Sequence, residues 1–425
     1  MKRRAVTQKY FVICMGISMK VLQINSHYDQ GGAARIVAAL HRQLLRRGVE
    51  SHVAYGRGAK HAEENVHFFG DTPGIYISAI GSRLLGINGY FNKRATGKLI
   101  QLIEKIQPDM VHMHVLHGYY VNVPMLFHYI NKVQIPCIWT FHDCHAFTGK
   151  CGYFFDCRQW EQGCKSCPYL KSYPSSLLLD CTRKMWKDKK GLFTVGEKKW
   201  IVTPSFWLQT EVEKSFFSKY SCVTINNGID TENTFYPRDR EALRKKYGFL
   251  SEEKLILGVA VGYRDERKGV EYIIQLAKDL EKRAKVILIG WNKENNGLLK
   301  GCENIITLKN ILNKDMLADY YSMADVFVIP SLAENYPTTS LEAMACGTPV
   351  VGFGVGGITE QLETMKGLVV EASNQKAFTE AVSKTLWEPG VVLQGDALAR
   401  MIQEKNSAGR MVDDYLKLYQ EIIKK

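Results

Sequence analysis

The sequence predicts an α/β protein with two Rossmann-like domains, each built on a doubly wound parallel sheet. The chain has 425 residues, which is enough for two or three domains with their own cores. Short apolar segments alternate with segments of helical periodicity in both halves, which is typical of βαβ units. The alternation begins again after residue 230, so the two halves are expected to form separate domains.

The first half begins with a predicted strand at 20–25, followed by a loop with two adjacent glycines. A helix is predicted at 33–47, because apolar residues recur at helical spacing and Gly48 follows. A second helical pattern covers 95–106, and Pro108 separates it from the next strand. The further strands predicted in this half are 49–56, 110–115, 135–141, 200–204 and 222–228.

The second half shows the same alternation. Apolar runs predict strands at 255–260, 285–290, 304–308, 326–330 and 348–353. Helical patterns lie between them at 270–283, 315–323 and 340–346, and a last helical stripe covers 411–423. We therefore expect an N-terminal domain at 19–230, a C-terminal domain at 231–405 and a final helical segment at 406–425.

Composition and charge limit the function classes. Apolar residues make up 46% and charged residues 23% of the chain, as in ordinary soluble globular proteins. No run approaches a membrane-spanning length. Residues 1–230 carry 30 Lys and Arg against 16 Asp and Glu, whereas 231–425 carry 26 against 27. The basic half favours an acidic partner, such as nucleotide phosphates, a polyprenyl-diphosphate lipid, an anionic membrane surface or nucleic acid, although solubility alone also explains many of these lysines.

The first 18 residues imitate a short signal peptide, since basic residues precede an apolar run. A strand begins directly afterwards, however, and Met19 resembles a natural start. No convincing cleavage site separates the two. We interpret 1–18 as a mis-called start or a leader, with weak membrane contact as the lesser option, and expect a cytoplasmic protein.

Glu334 and Glu342 lie in the most informative segment of the chain. An apolar run at 325–329 predicts a buried strand, and 340–346 predicts a helix. Glu334 then lies on the loop after the strand and Glu342 on the next helix, which is where open α/β sheets bind ligands. A carboxylate accepts two hydroxyl hydrogen bonds at once, and this suits the diols of a sugar or a ribose.

This segment resembles the E-x7-E signature of the family 4 glycosyltransferases, which are retaining enzymes with the GT-B fold. The resemblance covers nearly all of 19–425 and implies two domains facing across a cleft, with 406–425 crossing back to the N-terminal domain. It further implies that Glu342 binds the ribose and that Glu334 contacts the reacting sugar, with Asn335 and Tyr336 also at the donor. The stretch at 137–168 indicates the subgroup of colanic-acid-type exopolysaccharide glycosyltransferases.

A cationic turn follows the first strand of the second half. Arg264, Arg267, Lys268 and Gly269 occur together before a predicted helix, and cations at a helix start form a strong diphosphate site. The turn resembles the family's R…KG element, in which Arg and Lys hold the donor diphosphate. Lys268 matches this element, and either Arg267 or Arg264 supplies the arginine. A surface ion-pair arrangement is the alternative.

Glycines at 352, 354 and 357 spell the G-x-G-x-x-G pattern of dinucleotide sites. That pattern normally follows the opening strand of its domain, and here it follows a late one. The family resemblance gives Gly356 and Gly357 another role, in the donor loop where backbone N–H groups approach phosphate.

Gly31 and Gly32 match the family's GGA element, which lies at the floor of the cleft, where small residues let donor and acceptor approach. A plain turn before a helix is the alternative explanation.

A histidine and four cysteines distinguish the stretch at 137–168. The resemblance implies that His142 lies at the reacting sugar and is catalytic; a loop histidine bonded to backbone is the alternative. A Cys-rich insert at 144–168 has the spacing C-x5-C-x6-C-x2-C. Four such thiols in a cytosolic chain favour a structural zinc over disulfides, with unpaired thiols as the alternative. The cysteines are Cys151, Cys157, Cys164 and Cys167.

The family resemblance, together with these patterns, implies a retaining hexosyltransferase that moves a sugar from a UDP- or GDP-linked donor to a glycan or a polyprenyl-diphosphate-linked acceptor. No catalytic cofactor is expected, since Arg and Lys replace the divalent metal at the diphosphate, and no nucleic-acid partner is expected. A nucleotide-sugar epimerase or another GT-B enzyme acting on the donor alone is the first alternative, and a Rossmann NAD oxidoreductase is the second.

Overall fold

The computed structural model describes residues 19–259, 265–291 and 297–424. The leader at 1–18 and Arg264 therefore lie outside the described residues. Within these described ranges, thirteen strands form two parallel sheets, one in each half of the chain. In chain order they are β1 Lys20–Asn25, β2 Glu50–Tyr55, β3 Val66–Phe68, β4 Met110–Met113, β5 Cys137–Thr140, β6 Lys199–Thr203, β7 Cys222–Thr224, β8 Leu255–Val259, β9 Lys285–Ile289, β10 Ile305–Leu308, β11 Val326–Ile329, β12 Val350–Phe353 and β13 Leu368–Val370.

Helices cover both faces of each sheet. They are α1 Gly32–Arg46, α2 Thr72–Leu85, α3 Lys93–Ile106, α4 Val123–Val133, α5 Thr182–Phe193, α6 Phe206–Glu213, α7 Arg240–Tyr247, α8 Val270–Leu280, α9 Lys314–Met323, α10 Thr338–Ala345, α11 Gly357–Thr364, α12 Gln375–Trp387, α13 Gly395–Asn406 and α14 Ala408–Ile423. No helix among the described residues is long and apolar enough to cross a bilayer.

The strand order is β3-β2-β1-β4-β5-β6-β7 in the first sheet and β10-β9-β8-β11-β12-β13 in the second. Each order reverses once, between β1 and β4 and between β8 and β11. Such a reversal leaves a crevice at the carboxyl ends of the strands, where ligands bind. The prediction of two doubly wound domains is therefore confirmed.

The central strands are almost completely buried, because helices cover both faces and the strand residues are apolar, whereas the edge strands β3, β7 and β10 are only partly buried. Val21, Leu22 and Ile24 of β1 are buried, as are Val350 and Val351 of β12. The predicted helix at 270–283 ends earlier in the structure. It stops at Leu280, and a 3-10 turn covers Glu281–Arg283.

The chain passes between the domains twice. After the second sheet, α13 packs on α10, and α14 packs on α1 of the first domain. Met411, Tyr415 and Tyr419 of α14 join the same apolar cluster as Val21 and Ile36. The last helix is therefore part of the first domain's core.

Candidate active site

Loops at the carboxyl ends of the two sheets meet each other. Ser205, which follows β6, donates its hydroxyl to Asn335 Oδ1 at 2.5 Å. Asn335 follows β11 and donates its side-chain amide to the carbonyl of His142, after β5, at 3.2 Å. These hydrogen bonds join the crevices of the two sheets beside Glu334.

Glu334 is a buried carboxylate held by two cations. Its Oε1 accepts from Arg267 Nη1 at 2.8 Å and from Lys268 Nζ. Burial alone would raise its pKa, but the attraction of Lys268 and Arg267 outweighs it and holds the pKa below the ordinary value. Glu334 is therefore ionised at neutral pH, and Arg267 and Lys268 lie together as the sequence predicts.

The cations are positioned by a short 3-10 turn, Glu266–Lys268, between β8 and α8. Asp265 caps this turn by accepting from Arg267 N at 3.2 Å. The Arg267 guanidinium also lies 4.3 Å from the ring centre of Tyr153, a cation–π contact from the other domain. Gly269 closes the turn with φ +61, and a Cβ there would lie 1.9 Å from the Pro330 carbonyl oxygen, so glycine is required.

Glu342 lies on α10, and its partners differ from those of Glu334. Its Oε1 accepts from Arg35 Nη1 of α1 at 3.2 Å, across the domain boundary, and its Oε2 accepts from Tyr321 at 3.1 Å. Burial raises its pKa, and the opposing attraction of Arg35 does not cancel this effect.

A second ion pair crosses the boundary beside this one. Lys314 Nζ, at the start of α9, lies 2.8 Å from Asp29 Oδ1, just before α1. Arg35, Lys314 and Glu342 line a cavity of about 120 Å³ between the domains. Gly31 and Gly32 lie at the start of α1, and Gly31 has φ +90. The glycine element is thus placed at the domain boundary, close in sequence to Arg35.

Gly356 and Gly357 pack directly on the backbone that carries Glu334. A Cβ on Gly356 would lie 1.9 Å from the Glu334 carbonyl oxygen, and one on Gly357 would lie 1.9 Å from that of Asn335. Side chains larger than hydrogen do not fit here. Close packing of two loops therefore explains both glycines.

Tyr336 is placed differently from the other residues of its loop. Asn406 donates to its hydroxyl at 3.3 Å, and Asn227 donates to its carbonyl at 2.8 Å. Its ring is buried among the segments that connect the domains, so the structure does not bring the Tyr336 hydroxyl to Glu334.

His142 is half-buried at the end of a row of histidines whose other two members, His112 and His114, are buried. Its Nε2 lies 3.0 Å from Nδ1 of His114, whose ring packs on His112, and His112 contacts the Tyr419 hydroxyl at 2.6 Å. Burial lowers the pKa of His142 to about 4, so its ring is neutral at pH 7.

Its neighbour Asp143 forms a second polar pair that sequence reasoning missed. Asp143 Oδ2 lies 2.7 Å from His117 Nε2, and Oδ1 accepts from the backbone N–H of His145 at 2.9 Å. Burial would raise the pKa of Asp143, but His117 and this N–H hold it low.

The four predicted cysteine ligands line one small cavity in the segment between β5 and α5. Contact with Cys151 lowers the pKa of Cys167, and burial raises the pKa of Cys164 to about 11. Across the described part of the chain, no group of three or more His, Cys, Asp or Glu side chains is already arranged to hold a metal ion. The thiols share a cavity, but the predicted zinc is not shown.

The sequence also gave no prediction for three further residues of the site, Arg35, Lys314 and Tyr153. Each acts across the domain boundary, so its partner lies far away in sequence. The only available signal was the position of Arg35, four residues after Gly31.

Two facing Rossmann-like domains, with an acidic pair and a cationic turn between them, define a GT-B glycosyltransferase. The family model described as "Glycosyltransferase Family 4" matches residues 30–233, and the family model described as "Glycosyl transferases group 1" matches residues 239–406. Together the two matches cover most of the chain. The chain belongs to this family of glycosyltransferases and is an enzyme of that class.

Relatives agree with this assignment. The chain is 26% identical over 428 residues to the Escherichia coli (strain K12) protein WcaC, assigned as a colanic acid biosynthesis glycosyl transferase, covering 95% of this chain and 100% of WcaC. It is 26% identical to the N-acetyl-alpha-D-glucosaminyl L-malate synthase of Bacillus anthracis, over 47% of this chain and 54% of that protein.

Solved structures show the same fold. Sucrose-phosphate synthase from Thermosynechococcus elongatus superposes with a TM-score of 0.68 at 17% identity, covering 95% of this chain and 99% of that one. Anabaena HepE in complex with UDP-glucose gives 0.66 at 14% identity, covering 95% and 100%. Neither of the two alternative functions is favoured, since the matched families are glycosyltransferases and the glycine pattern follows β12 instead of the opening strand β8.

Proposed function

We propose that the protein is a retaining hexosyltransferase that moves a sugar from a UDP- or GDP-linked donor to a glycan hydroxyl in surface polysaccharide biosynthesis. The observation that carries the proposal is the buried Glu334 carboxylate on Arg267 and Lys268, at the switch point of the second sheet. WcaC, matched along its whole length, supports the polysaccharide context.

In this proposal, Arg267 and Lys268 turn from Glu334 to the diphosphate when the donor binds. Their charges stabilise the negative charge that develops on the leaving nucleoside diphosphate. The ionised Glu334 is then free to stabilise positive charge on the sugar ring. No catalytic metal is required for either role.

Glu342 would hold the ribose hydroxyls, because a buried carboxylate next to the domain boundary can accept two hydrogen bonds from a diol. The N–H groups beside Gly356 and Gly357 would face phosphate. His142, held neutral, would act as a hydrogen-bonding group at the sugar and not as a cation.

We infer that the acceptor binds the first domain, whose sequence carries the excess positive charge. A polyprenyl-diphosphate-linked glycan fits this charge, and so does peripheral contact with an anionic membrane at its inner face. The ten cysteines of the described residues are free thiols, which suits the reducing cytoplasm.

A thermal-melting panel tests the donor assignment. The full chain is melted with UDP, GDP, UDP-sugars, GDP-mannose and NAD(H), each with and without EDTA. One nucleoside diphosphate class should raise the melting temperature, and the rise should survive EDTA, because ligands that bind the folded state stabilise it. A rise with NAD(H) alone would overturn the proposal. NMR of the product's anomeric proton tests retention.

We also propose that the thiols around the small cavity bind a structural zinc. Two buried lysines in this segment, Lys150 and Lys189, donate to carbonyl oxygens and would offset the charge of a four-thiolate site. Protein purified without chelator should contain about one zinc per chain by plasma mass spectrometry. The variant Cys164→Ser should lose it and Cys222→Ser should keep it; metal-free wild-type protein would contradict the proposal.

A further inference from the structure

A cavity of about 870 Å³ opens between the cysteine-bearing segment and the turn that carries Arg267. Its volume is in the range of pockets that hold small ligands. One wall consists of aromatic residues from the segment, and the opposite wall is the 3-10 turn of the second domain. The residues that matter here are His117, Asp143, Tyr153, Phe155, Tyr169 and Tyr173.

The aromatic wall is exposed to an unusual degree. Phe155 is 38% and Tyr173 is 56% exposed. The ring centres of Phe155 and Tyr169 lie 5.2 Å apart, and Tyr173 lies 6.1 Å from the ring of His117. Exposed aromatic residues gathered at one cavity indicate a binding surface.

The backbone supports the same conclusion. Phe155 has φ +49, in the left-handed region that a bulky residue rarely adopts. Such a conformation is unfavourable and is found preferentially at functional sites. The protein thus holds this ring at the cavity against a conformational cost.

The floor and the far wall supply polar groups. His117 and Asp143 form the hydrogen-bonded pair described above, and both line the cavity. Tyr153 packs under the guanidinium of Arg267, which in turn contacts Glu334. The cavity therefore lies next to the carboxylate proposed to contact the reacting sugar.

The lining of the cavity has no excess of positive charge. Lys171 and Arg267 are accompanied by Asp143, Asp265 and Glu266, and Arg267 is paired with Asp265 at 3.0 Å. A lining of this kind offers no net cationic surface for a carboxylated sugar or a lipid phosphate. It suits a neutral ligand with hydroxyl groups on its edge and an apolar face.

We propose that this cavity is the acceptor site and binds a neutral pyranose unit of a glycan, whose apolar C–H face packs on Phe155 and Tyr173 while hydroxyl groups bond to His117 and Asp143. The inference rests on the proposed function, since it concerns the acceptor of that reaction. The segment between β5 and α5, which carries Asp143, Phe155 and Tyr173, thereby determines which acceptor is used.

Saturation-transfer NMR on the full chain tests the proposal. The probes are the methyl glycosides of glucose, galactose, mannose, fucose and glucuronic acid, measured with the nucleotide that raises the melting temperature. At least one neutral glycoside should bind, with strongest saturation on one ring face. Phe155→Ala and Tyr173→Ala should each weaken binding about fivefold or more, as expected for the loss of one aromatic contact. Tyr76→Ala is the matched control, because Tyr76 is an exposed tyrosine on α2 outside the cavity.

Three results would overturn the inference: no neutral glycoside binds the wild type, the cavity variants bind as well as the wild type, or the glucuronide binds more tightly than every neutral probe. The nucleotide-induced rise in melting temperature separates this failure from failure of the proposed function. If the rise is present and glycosides do not bind, only the acceptor inference is wrong. If no nucleotide raises the melting temperature, the proposed function itself fails.

Discussion

Glu334 and Glu342 are both buried, yet their carboxylates have different partners and their pKa values shift in opposite directions. Two cations lie on Glu334, both from its own domain. Glu342 has one arginine at 3.2 Å, from the other domain, and one tyrosine hydroxyl. The effect of burial, which raises a carboxyl pKa, is therefore offset at Glu334 and not at Glu342.

The different partners of the two carboxylates imply different roles for Glu334 and Glu342. Since the partners of Glu334 are in the same domain, its charge does not depend on how the domains are placed. The charge of Glu342 depends on Arg35, so its ionisation is coupled to closure of the cleft. We infer that Glu334 is held ionised by cations of its own domain before the donor binds, whereas the contacts of Glu342 are completed only when the domains close on the donor.

The largest expected effect comes from Glu334→Gln. The uncharged amide cannot stabilise positive charge on the sugar, so kcat should fall about 10³-fold while nucleotide binding is largely kept. Glu342→Gln should instead raise the KM for the donor about tenfold with a small change in kcat, because it removes ground-state contacts. Steady-state kinetics with varied donor concentration measures both.

Equal effects of the two substitutions on kcat would contradict the separation of roles. Unchanged activity of Glu334→Gln would remove Glu334 from the site. The melting shift with the bound nucleotide is the control, since it shows that each variant still folds and binds the donor.

The pH dependence of the free energy of unfolding should also distinguish Glu334 from Glu342. The low pKa of Glu334 means that its ionised form stabilises the fold above the unfolded pKa of about 4.5, and this contribution is lost as pH falls through the folded value. Glu334→Gln should therefore lower the free energy of unfolding by about 2 kcal/mol at pH 7 and by less near pH 4.

The sign is opposite for Glu342. Its raised pKa means that the protonated form is favoured in the fold, a contribution that is present at low pH and lost as pH rises through the folded pKa. The melting temperature of Glu342→Gln relative to wild type should therefore increase from pH 5 to pH 8. Parallel curves for the two variants would show that the two environments do not differ.

The sequence was sufficient for most strands of both sheets and for the loop positions of Glu334 and Lys268, but the short edge strands β3 and β13 were not predicted. Alternating apolar runs specify parallel strands, and strands of one sheet place their carboxyl ends at one edge. The predicted helix at 33–47 agrees with α1, Gly32–Arg46, to within one residue at each end. The agreement is close because local apolar spacing and a terminal glycine determine where such a helix lies.

The interdomain contacts could not be predicted in the same way. Arg35 is separated from Glu342 by 307 positions, and no periodicity relates them. The direction of the Tyr336 side chain could not be predicted from the sequence either. Its neighbours Glu334 and Asn335 face the cleft, but loop geometry turns its ring toward Asn406, and a sequence motif carries no information on that direction.

A smaller effect is expected from Arg35→Ala. Without the guanidinium, burial raises the pKa of Glu342 further, so less of the carboxylate is ionised in acid. The donor KM should rise several-fold at pH 6 and less at pH 8. The increase at pH 6 corresponds to a loss of about 1 kcal/mol in the free energy of donor binding. Arg410→Ala is the control, because Arg410 pairs with Asp414 on the exposed surface of α14. The same change in KM at both pH values would contradict a role through the charge of Glu342.

Tyr321→Phe should give the smallest measurable effect. It removes the neutral hydrogen bond to Glu342 Oε2 at 3.1 Å but leaves Arg35 and the packing of the ring. A single such bond contributes about 1 kcal/mol, which corresponds to roughly a fivefold increase in donor KM with kcat unchanged. Tyr320→Phe is the matched control, since that ring packs on Tyr247 instead. If the Tyr321 variant lowered kcat as Glu334→Gln is expected to do, then Glu342 would act in the chemical step, and the division between the two carboxylates would have to be abandoned.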